Sequence, residues 1–530
     1  MKLLMILFWI TTLLQAAALT VIPQPQSIKY NSDTFVLDEH TKIYQESLLS
    51  DQAVAYLQEH LQKSSDYRLK QSLSPSTLNF LVNRQLEDEA YELNITKKQI
   101  SISAHTPSGY FYGVITLMQM MDAHIWSDQS DLKKNAYPLT GLFMSDAPAF
   151  KWRGMMLDSA RNFFSVGYVK KFIDRMAQYK LNRFHWHLSD DEAWRIEIKK
   201  YPKLTTVGSV RGDDTLMPYS MFPTMKGKKQ GKQEGFYTQK EIQDIVAYAK
   251  ARSIEILPEI DLPAHAKAAI ISYPELLYNP QDSSDYHSVQ KVHNNTIDIG
   301  LKSTYIFTQN IIAELSQLFD FEYVHLGGDE IPKGAWSGSP SVQKLKETHH
   351  LKTTQELQAY FFSKLAQQLH QHQKKLITWQ ASYSTKIQAE GHIVMAWQSH
   401  KKALKALQEG QSVILSPAPY LYFDQKQSHA KDALGHHWAG VVTKEKVYSY
   451  HHKLSSLSPQ NRPLGIQGAL WSEYADSEAK ADYLSFPRLL ILSELAWSKS
   501  KPQKYKHFQK RLQYHQQNQL LTQKINFCAD

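Results

Sequence analysis

Tyr323-Val324-His325-Leu326-Gly327-Gly328-Asp329-Glu330 reads as a short apolar strand that stops at a Gly pair and hands over to two adjacent carboxylates. Side chains alternate along a strand, so neighbouring acids point apart unless the strand is ending, as the glycines signal. The pair also removes side-chain bulk beside the acids, so that a ligand can approach the backbone there. Taken alone, the run serves equally as an exposed acidic turn or a helix N-terminus. Its surroundings decide between these readings.

Outward from this strand the same rhythm repeats. Apolar strands are expected at 152–158, 182–188, 254–261, 323–327, 376–380, 393–398, 413–416 and 466–472. Between them lie helical patterns such as 168–179, 240–251, 304–318 and 354–371, with apolar residues three and four apart. Eight strand–helix units over roughly 350 residues predict an α/β fold of the (β/α)8 barrel type, with its active site at the carboxyl ends of the strands. A doubly wound open sheet shares the alternation but gives no reason for chemistry after every strand. The barrel is expected to occupy residues 149–530 as a catalytic domain, closing with a helix over 502–517. Residues 211–235, rich in Gly, Lys and Met, read as an inserted loop over the active face. Ahead of the barrel, residues 19–148 alternate strand-like and helical pieces and predict a smaller α/β (α+β) domain; 53–62 is amphipathic, 91–103 strand-like and 109–121 helical.

The 530 residues, 42% hydrophobic and 21% charged, suit a large globular core in two domains. The formal net charge of +9 is spread through Lys-rich surface stretches without a basic repeat or aromatic interleaving, which argues against a nucleic-acid partner. Residues 1–18 carry Lys2, an apolar run over 3–14 and Ala16-Ala17-Ala18, the pattern of an export signal peptide. That run is short for a membrane span and no later segment is long enough, so no stable span is expected after signal removal. Cys528 is the single cysteine, which excludes an intrachain disulfide. An exported chain of this size without disulfides points to a bacterial periplasm or the medium rather than a lysosome. Asn94 and Asn294 head formal glycosylation sequons, relevant only in a glycosylating host. Monomer and homodimer are both left open.

A barrel makes a demand on the residues that follow its strands, and the sequence meets it. The first strand is followed by Asp158-Ser159-Ala160-Arg161, the second by Ser189-Asp190-Asp191, the third by Asp261-Leu262-Pro263-Ala264-His265 and the fourth by Asp329-Glu330. Later strands end in Trp379, in Trp397, in Tyr422 with Asp424, and in Trp471 with Glu473. Singly, a Trp is usually core and an Asp after a strand usually a helix cap. Together they form a set of acids, one Arg and indole rings able to grip sugar hydroxyls and pack on the apolar faces of a sugar ring.

Glycoside cleavage also needs a protonated carboxyl for the leaving oxygen. Two enzyme carboxyls acting across the bond must stand about 5–5.5 Å apart for retention or roughly 6.5–9.5 Å for inversion. Consecutive residues such as Asp329 and Glu330 are poorly placed for that. The substrate can instead bring its own nucleophile, a 2-acetamido oxygen, leaving Glu330 as acid and Asp329 to orient the acetamido N–H.

The motifs His325-Leu-Gly-Gly-Asp-Glu330, Trp186-His-Leu-Ser-Asp-Asp191, Pro258-Glu-Ile-Asp261 and Ala469-Leu-Trp-Ser-Glu473 resemble glycoside hydrolase family 20, the β-N-acetylhexosaminidases. Val21-Ile-Pro-Gln-Pro25 and Tyr110-Phe-Tyr-Gly-Val114 resemble that family's N-terminal domain, so the likeness covers nearly the whole mature chain. The resemblance implies exo-acting hydrolysis of terminal non-reducing β-linked GlcNAc or GalNAc, with retention, no metal and no cofactor, on a small-molecule glycan. It implies Glu330 as general acid and later base, and Asp329 as the acetamido partner. Arg161 would grip ring hydroxyls with Asp190 and Glu473, Tyr422 the acetamido carbonyl, and Asp424 the outer hydroxyls. Trp379, Trp397 and Trp471 would wall in the acetamido methyl and the sugar, and His265, supported by Asp261, would tune Glu330.

Two positions depart from the family pattern: Ala264 stands in the usual Pro-Gly-His, and Asn162 where a His commonly follows the Arg. Alanine at 264 argues against a required positive φ, and Asn162 could shift preference for the outer hydroxyls. Three rivals share these residues: a disaccharide-releasing enzyme of the same family, a non-catalytic carbohydrate-binding protein, and a metal-dependent hydrolase built on His185, His187 and His265. Binding alone has no use for a proton donor, which counts against the second.

Overall fold

A computed structural model describes residues 20–127, 134–212, 232–381, 384–499 and 504–529. The expected export segment at 1–18 and residues 213–231 of the expected loop lie outside the described residues. Seven strands come first: Ser27–Asp38 (β1), Lys42–Gln45 (β2), Lys70–Gln71 (β3), Leu78–Val82 (β4), Tyr91–Ile95 (β5), Ile100–Ala104 (β6) and Ala136–Asp146 (β7). They form one sheet in the order β1-β7-β5-β6-β4-β2-β3, antiparallel from β1 to β6 and parallel from β6 to β3. The helix Pro107–Met120 starts with Thr106 accepting from the Gly109 N–H and with Pro107 in its first turn. It is apolar on every side, and Gly109 through Gln119 are all buried, as a helix enclosed by packing on all faces requires.

The next eight strands are Trp152–Asp158 (β8), Arg183–His187 (β9), Glu255–Leu262 (β10), Tyr323–Gly327 (β11), Lys375–Trp379 (β12), Ile393–Ala396 (β13), Ser412–Leu415 (β14) and Gly465–Leu470 (β15). All pair in parallel and β15 returns to β8, closing the barrel that the alternation predicted. Each of the eight expected strands overlaps one of these. Strands covered on both faces read as continuous apolar runs, and the two-residue period sorts their side chains. Met155, Leu157, Phe184, Trp186, Ile256 and Val324 point out into the helical layer. Trp152, Met156, Leu257, Ile377, Ile393, Met395, Ile414 and Ala469 fill the interior.

The inward set also includes charge. Glu259 on β10 sits buried with both oxygens engaged. One meets His325 Nδ1 at 2.8 Å and accepts from Trp379 Nε1 at 2.8 Å; the other meets His185 Nε2 at 3.0 Å and His187 Nδ1. Burial works against the charge, but the three imidazoles outweigh it and hold Glu259 well below the usual carboxylate range. His187 is driven well above its ordinary value, chiefly by Glu259 and Asp190 overcoming burial, whereas burial of His185 leaves it at about 4.

The small sheet and the barrel meet through buried charges. Arg153 on β8 is wholly buried and takes a two-pronged contact from Glu89, at 2.8 and 2.9 Å, with the Tyr112 hydroxyl at 2.8 Å. Lys180 reaches Asp146 at 3.2 Å across the same boundary. The C-terminal helix is Tyr505–Tyr514, continued by a π-helical turn His515–Leu520, where a single helix over 502–517 was expected. Arg511 binds Glu494 at 2.6 Å and the Val21 carbonyl at 2.9 Å, which fixes this helix to the outside of the barrel. No described helix is long and apolar enough to cross a membrane.

Candidate active site

A cavity of about 410 Å³ opens where the barrel strands end. Its acids come from the turn after β11. Gly327, Gly328 and Glu330 have φ of +69°, +102° and +44°, so the backbone coils left-handed through the region glycine tolerates best. A Cβ at Gly327 would collide with the Asp261 carboxylate. At Gly327 the missing side chain therefore makes room for a neighbouring acid, a constraint the sequence reading did not foresee. Glu330, held in the same region without glycine's freedom, carries strain of the kind concentrated at functional sites.

Around this turn, atoms without a protein partner converge. Asp329 Oδ1, Asp424 Oδ1, Glu473 Oε2 and Trp397 Nε1 are each buried and unpartnered, and all four residues line the cavity. Buried polar atoms are ordinarily hydrogen-bonded, so such a cluster marks a surface shaped for a polar ligand. Trp471 and Trp397 supply indole walls, with Tyr422 between them and its ring centroid 6.2 Å from that of Trp471. The Arg161 guanidinium lies 4.8 Å over the Trp471 ring.

Arg161 is held by three acids: Asp190 at 2.7 Å, Glu192 at 3.2 Å and Asp158 at 3.4 Å. Asp190 also contacts His265 Nδ1 at 3.1 Å and His187 Nε2 at 2.8 Å. It stands behind the cavity lining, where it holds Arg161 and His265 in place. His265 turns its other nitrogen to Glu330, 3.6 Å away. The support of His265 expected from Asp261 comes instead from Asp190, while Asp261 accepts from the Gly328 N–H at 3.3 Å through Oδ1. The positive φ in Pro263-Ala264-His265 falls on His265, at +54°, which is why alanine is accommodated at 264.

Trp379 is not among the residues lining this cavity. It is buried one layer below the cavity, backing Trp471 at 5.8 Å and binding Glu259. Asn162 donates to the Ser472 carbonyl at 2.7 Å and accepts from Arg211 at 3.3 Å, so it braces the loop behind Arg161. The three histidines of the metal reading do not meet: His185 and His187 face Glu259, while His265 faces Asp190 and Glu330. Sequence reasoning missed His436 and Trp438 from the loop after β14, and Val289 and Gln290 from the connection after β10, all of which line the cavity.

The charges are graded. Burial opposes ionisation of Glu330, but His265, Gln290 and Arg161 outweigh it and hold its carboxyl below the ordinary value. Asp329 is raised by desolvation and by the charges of Glu330, Glu259 and Asp190, against the pull of His265. Burial raises Asp424 to about 7 with help from Glu473, whereas His436 and Arg161 overcome burial and hold Glu473 at about 2. His265 is pushed well above its ordinary value by Asp190 and Glu330 in spite of burial.

A (β/α)8 barrel with acids, one buried arginine and indole walls around a single cavity at its strand ends defines a carbohydrate-active hydrolase. Residues 150–500 match the family model described as "Glycosyl hydrolase family 20, catalytic domain", and residues 18–137 match "Glycosyl hydrolase family 20, domain 2". The chain belongs to glycosyl hydrolase family 20 and is a glycoside hydrolase. It is 34% identical to a β-hexosaminidase of Vibrio furnissii over 90% of this chain and 76% of that protein. It is 35% identical to a β-hexosaminidase of Porphyromonas gingivalis, spanning 93% of this chain and 62% of that longer protein. The structure of an exo β-N-acetylglucosaminidase from Vibrio harveyi in complex with N-acetylglucosamine matches with a TM-score of 0.89 at 34% identity, covering 96% of this chain and 78% of the other. That of a β-N-acetylhexosaminidase from Streptomyces coelicolor matches at 0.80 and 27% identity, covering 97% and 98%.

Proposed function

We propose that this chain removes terminal, non-reducing β-linked N-acetylhexosamine residues with retained configuration, using the 2-acetamido oxygen of the substrate as nucleophile. The observation that carries the mechanism is the grouping of the unpartnered Asp329 Oδ1 with Tyr422, Trp397 and Trp471 in one cavity. An acetamido group offers an N–H for the carboxylate, a carbonyl for the hydroxyl and a methyl for the indoles. In the first step the carbonyl oxygen attacks C1, the C1–O bond breaks, and Glu330 gives its proton to the departing oxygen. Asp329 stabilises the positive oxazolinium through its N–H. Water then attacks C1, Glu330 takes back a proton and the amide re-forms, so two inversions give retention.

The protein groups alone hold Glu330 below and Asp329 above the ordinary carboxylate range, the reverse of what this step needs. Substrate supplies the correction. N–H donation favours the Asp329 carboxylate, and a leaving oxygen that accepts a hydrogen bond from Glu330 favours its protonated form. The buried acids and Arg161 close the inner end, while Val289 and Trp438, 66% and 58% exposed, stand at the mouth, which fits single sugars at a chain end. Residues 1–18 as an export signal would place the activity in the periplasm or medium, and the two units divide near residue 148 on the same reading.

Cleavage of an aryl β-N-acetylglucosaminide followed by NMR tests the mechanism, because its only sugar product carries the newly formed anomeric centre. The first-formed product should be the β-anomer, and a 2-deoxy or plain β-glucoside should be a very poor substrate. Brisk cleavage of a β-glucoside, or an α-anomeric first product, would sink the substrate-assisted step.

A further inference from the structure

Glu330 has a neighbour that its own strand end does not supply. Residues 286–294, in the connection after β10, form a small hairpin. His287 bridges His293, Ser288 N–H donates to the Val292 carbonyl at 2.9 Å, and Asn294 N–H to the Tyr286 carbonyl at 3.1 Å. Its tip closes through the Lys291 N–H to the Ser288 carbonyl at 2.9 Å, with Lys291 at φ +70°. The tip presents Val289 and Gln290 over the cavity mouth. Gln290 Nε2 donates to Glu330 Oε2 at 2.7 Å, while Gln290 Oε1 is buried and has no partner.

We infer that Gln290 is a positioning residue for Glu330 that also reads the leaving saccharide: its amide N–H orients the acid, and its free amide oxygen accepts a hydroxyl of the departing sugar. This rests on the proposed role of Glu330. A side-chain amide suits the task because one rigid plane carries donor and acceptor on the same carbon in diverging directions, so a hydroxyl bound to one fixes the geometry of the other. The remaining groups that face Glu330 are His265 at 3.6 Å, the adjacent Asp329, Arg161 and Tyr422. None of these stands on the hairpin. Donation from Gln290 favours the carboxylate form of Glu330, so the hairpin restrains the acid until a leaving group competes for it.

Two variants separate the functions. Gln290→Met removes donor and acceptor at similar length; Gln290→Glu keeps an acceptor and loses the donor. A general acid must be protonated, so activity falls as pH rises through its pKa, and loss of the donor moves that alkaline limb of kcat/KM upward. Both variants should show this move. On chitobiose, Gln290→Met should lose kcat/KM by roughly tenfold, the effect of one hydrogen bond to a charged or buried group, and Gln290→Glu by less. On an aryl N-acetylglucosaminide, whose leaving group has no sugar hydroxyl and needs little protonation, Gln290→Met should lose no more than about twofold in kcat/KM, within the range of a near-neutral substitution. An unmoved alkaline limb, or equal losses on the two substrates, overturns the inference. Failure of the underlying reading is seen separately, as wild-type-like cleavage of chitobiose by Glu330→Gln.

Discussion

Two clusters of acids and histidines lie within the same barrel, and they use the same residue types to opposite ends. In the inner one, both oxygens of Glu259 are occupied by His185, His187, His325 and Trp379. In the outer one, Asp329, Asp424 and Glu473 each keep an oxygen without a partner. A closed set of partners is a structural device; an open set is a binding surface, because an unmet buried acceptor is costly until something fills it. His187 and Asp190 join the two, since Asp190 meets His187 on one side and Arg161 and His265 on the other.

The contrast can be broken or sharpened by substitution. The largest effect is expected for Glu330→Gln: a fall in kcat on chitobiose of roughly 10²–10⁴-fold, with an unchanged urea midpoint. A stability loss there would erase the distinction between the clusters. Glu259→Gln should behave in the reverse sense, costing about 3–5 kcal/mol of stability because it strands buried imidazolium charge; urea unfolding reads this directly. Next, Asp329→Asn should lower kcat by about 10²–10³-fold, and oxazoline analogues should bind it more weakly by calorimetry. Tyr422→Phe removes one hydroxyl and should lose about tenfold or less in kcat/KM.

The smallest and most diagnostic effect is on pH. Glu259 is depressed on folding, so its contribution is present above the unfolded carboxylate pKa and is lost as pH falls through the folded value. His187 is raised, so its contribution is present below the ordinary histidine pKa and is lost as pH rises through the folded value. Urea midpoints should therefore decline toward both extremes in the wild type and flatten in Glu259→Gln.

The barrel was legible because a strand buried on both faces leaves an unbroken apolar run, and eight such runs leave little choice of topology. The acids were legible because they follow those runs immediately. The hairpin with Gln290 and the loop with His436 and Trp438 carry no period, so nothing local announced that they return to the cavity. Glu259 was visible in its motif, but its interior position depended on which face of β10 pointed inward. That Trp379 and Asp190 lie outside the cavity lining was not legible, because depth below a strand end is not written in sequence: Trp379 packs against Trp471 and Asp190 pairs with Arg161.

The clamp between Glu89 and Arg153 sets a limit on how the chain can be divided. The first strand of the barrel carries a cation whose counter-charge is supplied by the preceding sheet. A barrel expressed from residue 148 onward would lose the counter-charge of Arg153 and uncover the ring of Trp497, which is now buried beside it. The two units recognisable in the sequence are thus tied by a charged seam, and separating them should lower the urea midpoint of the barrel.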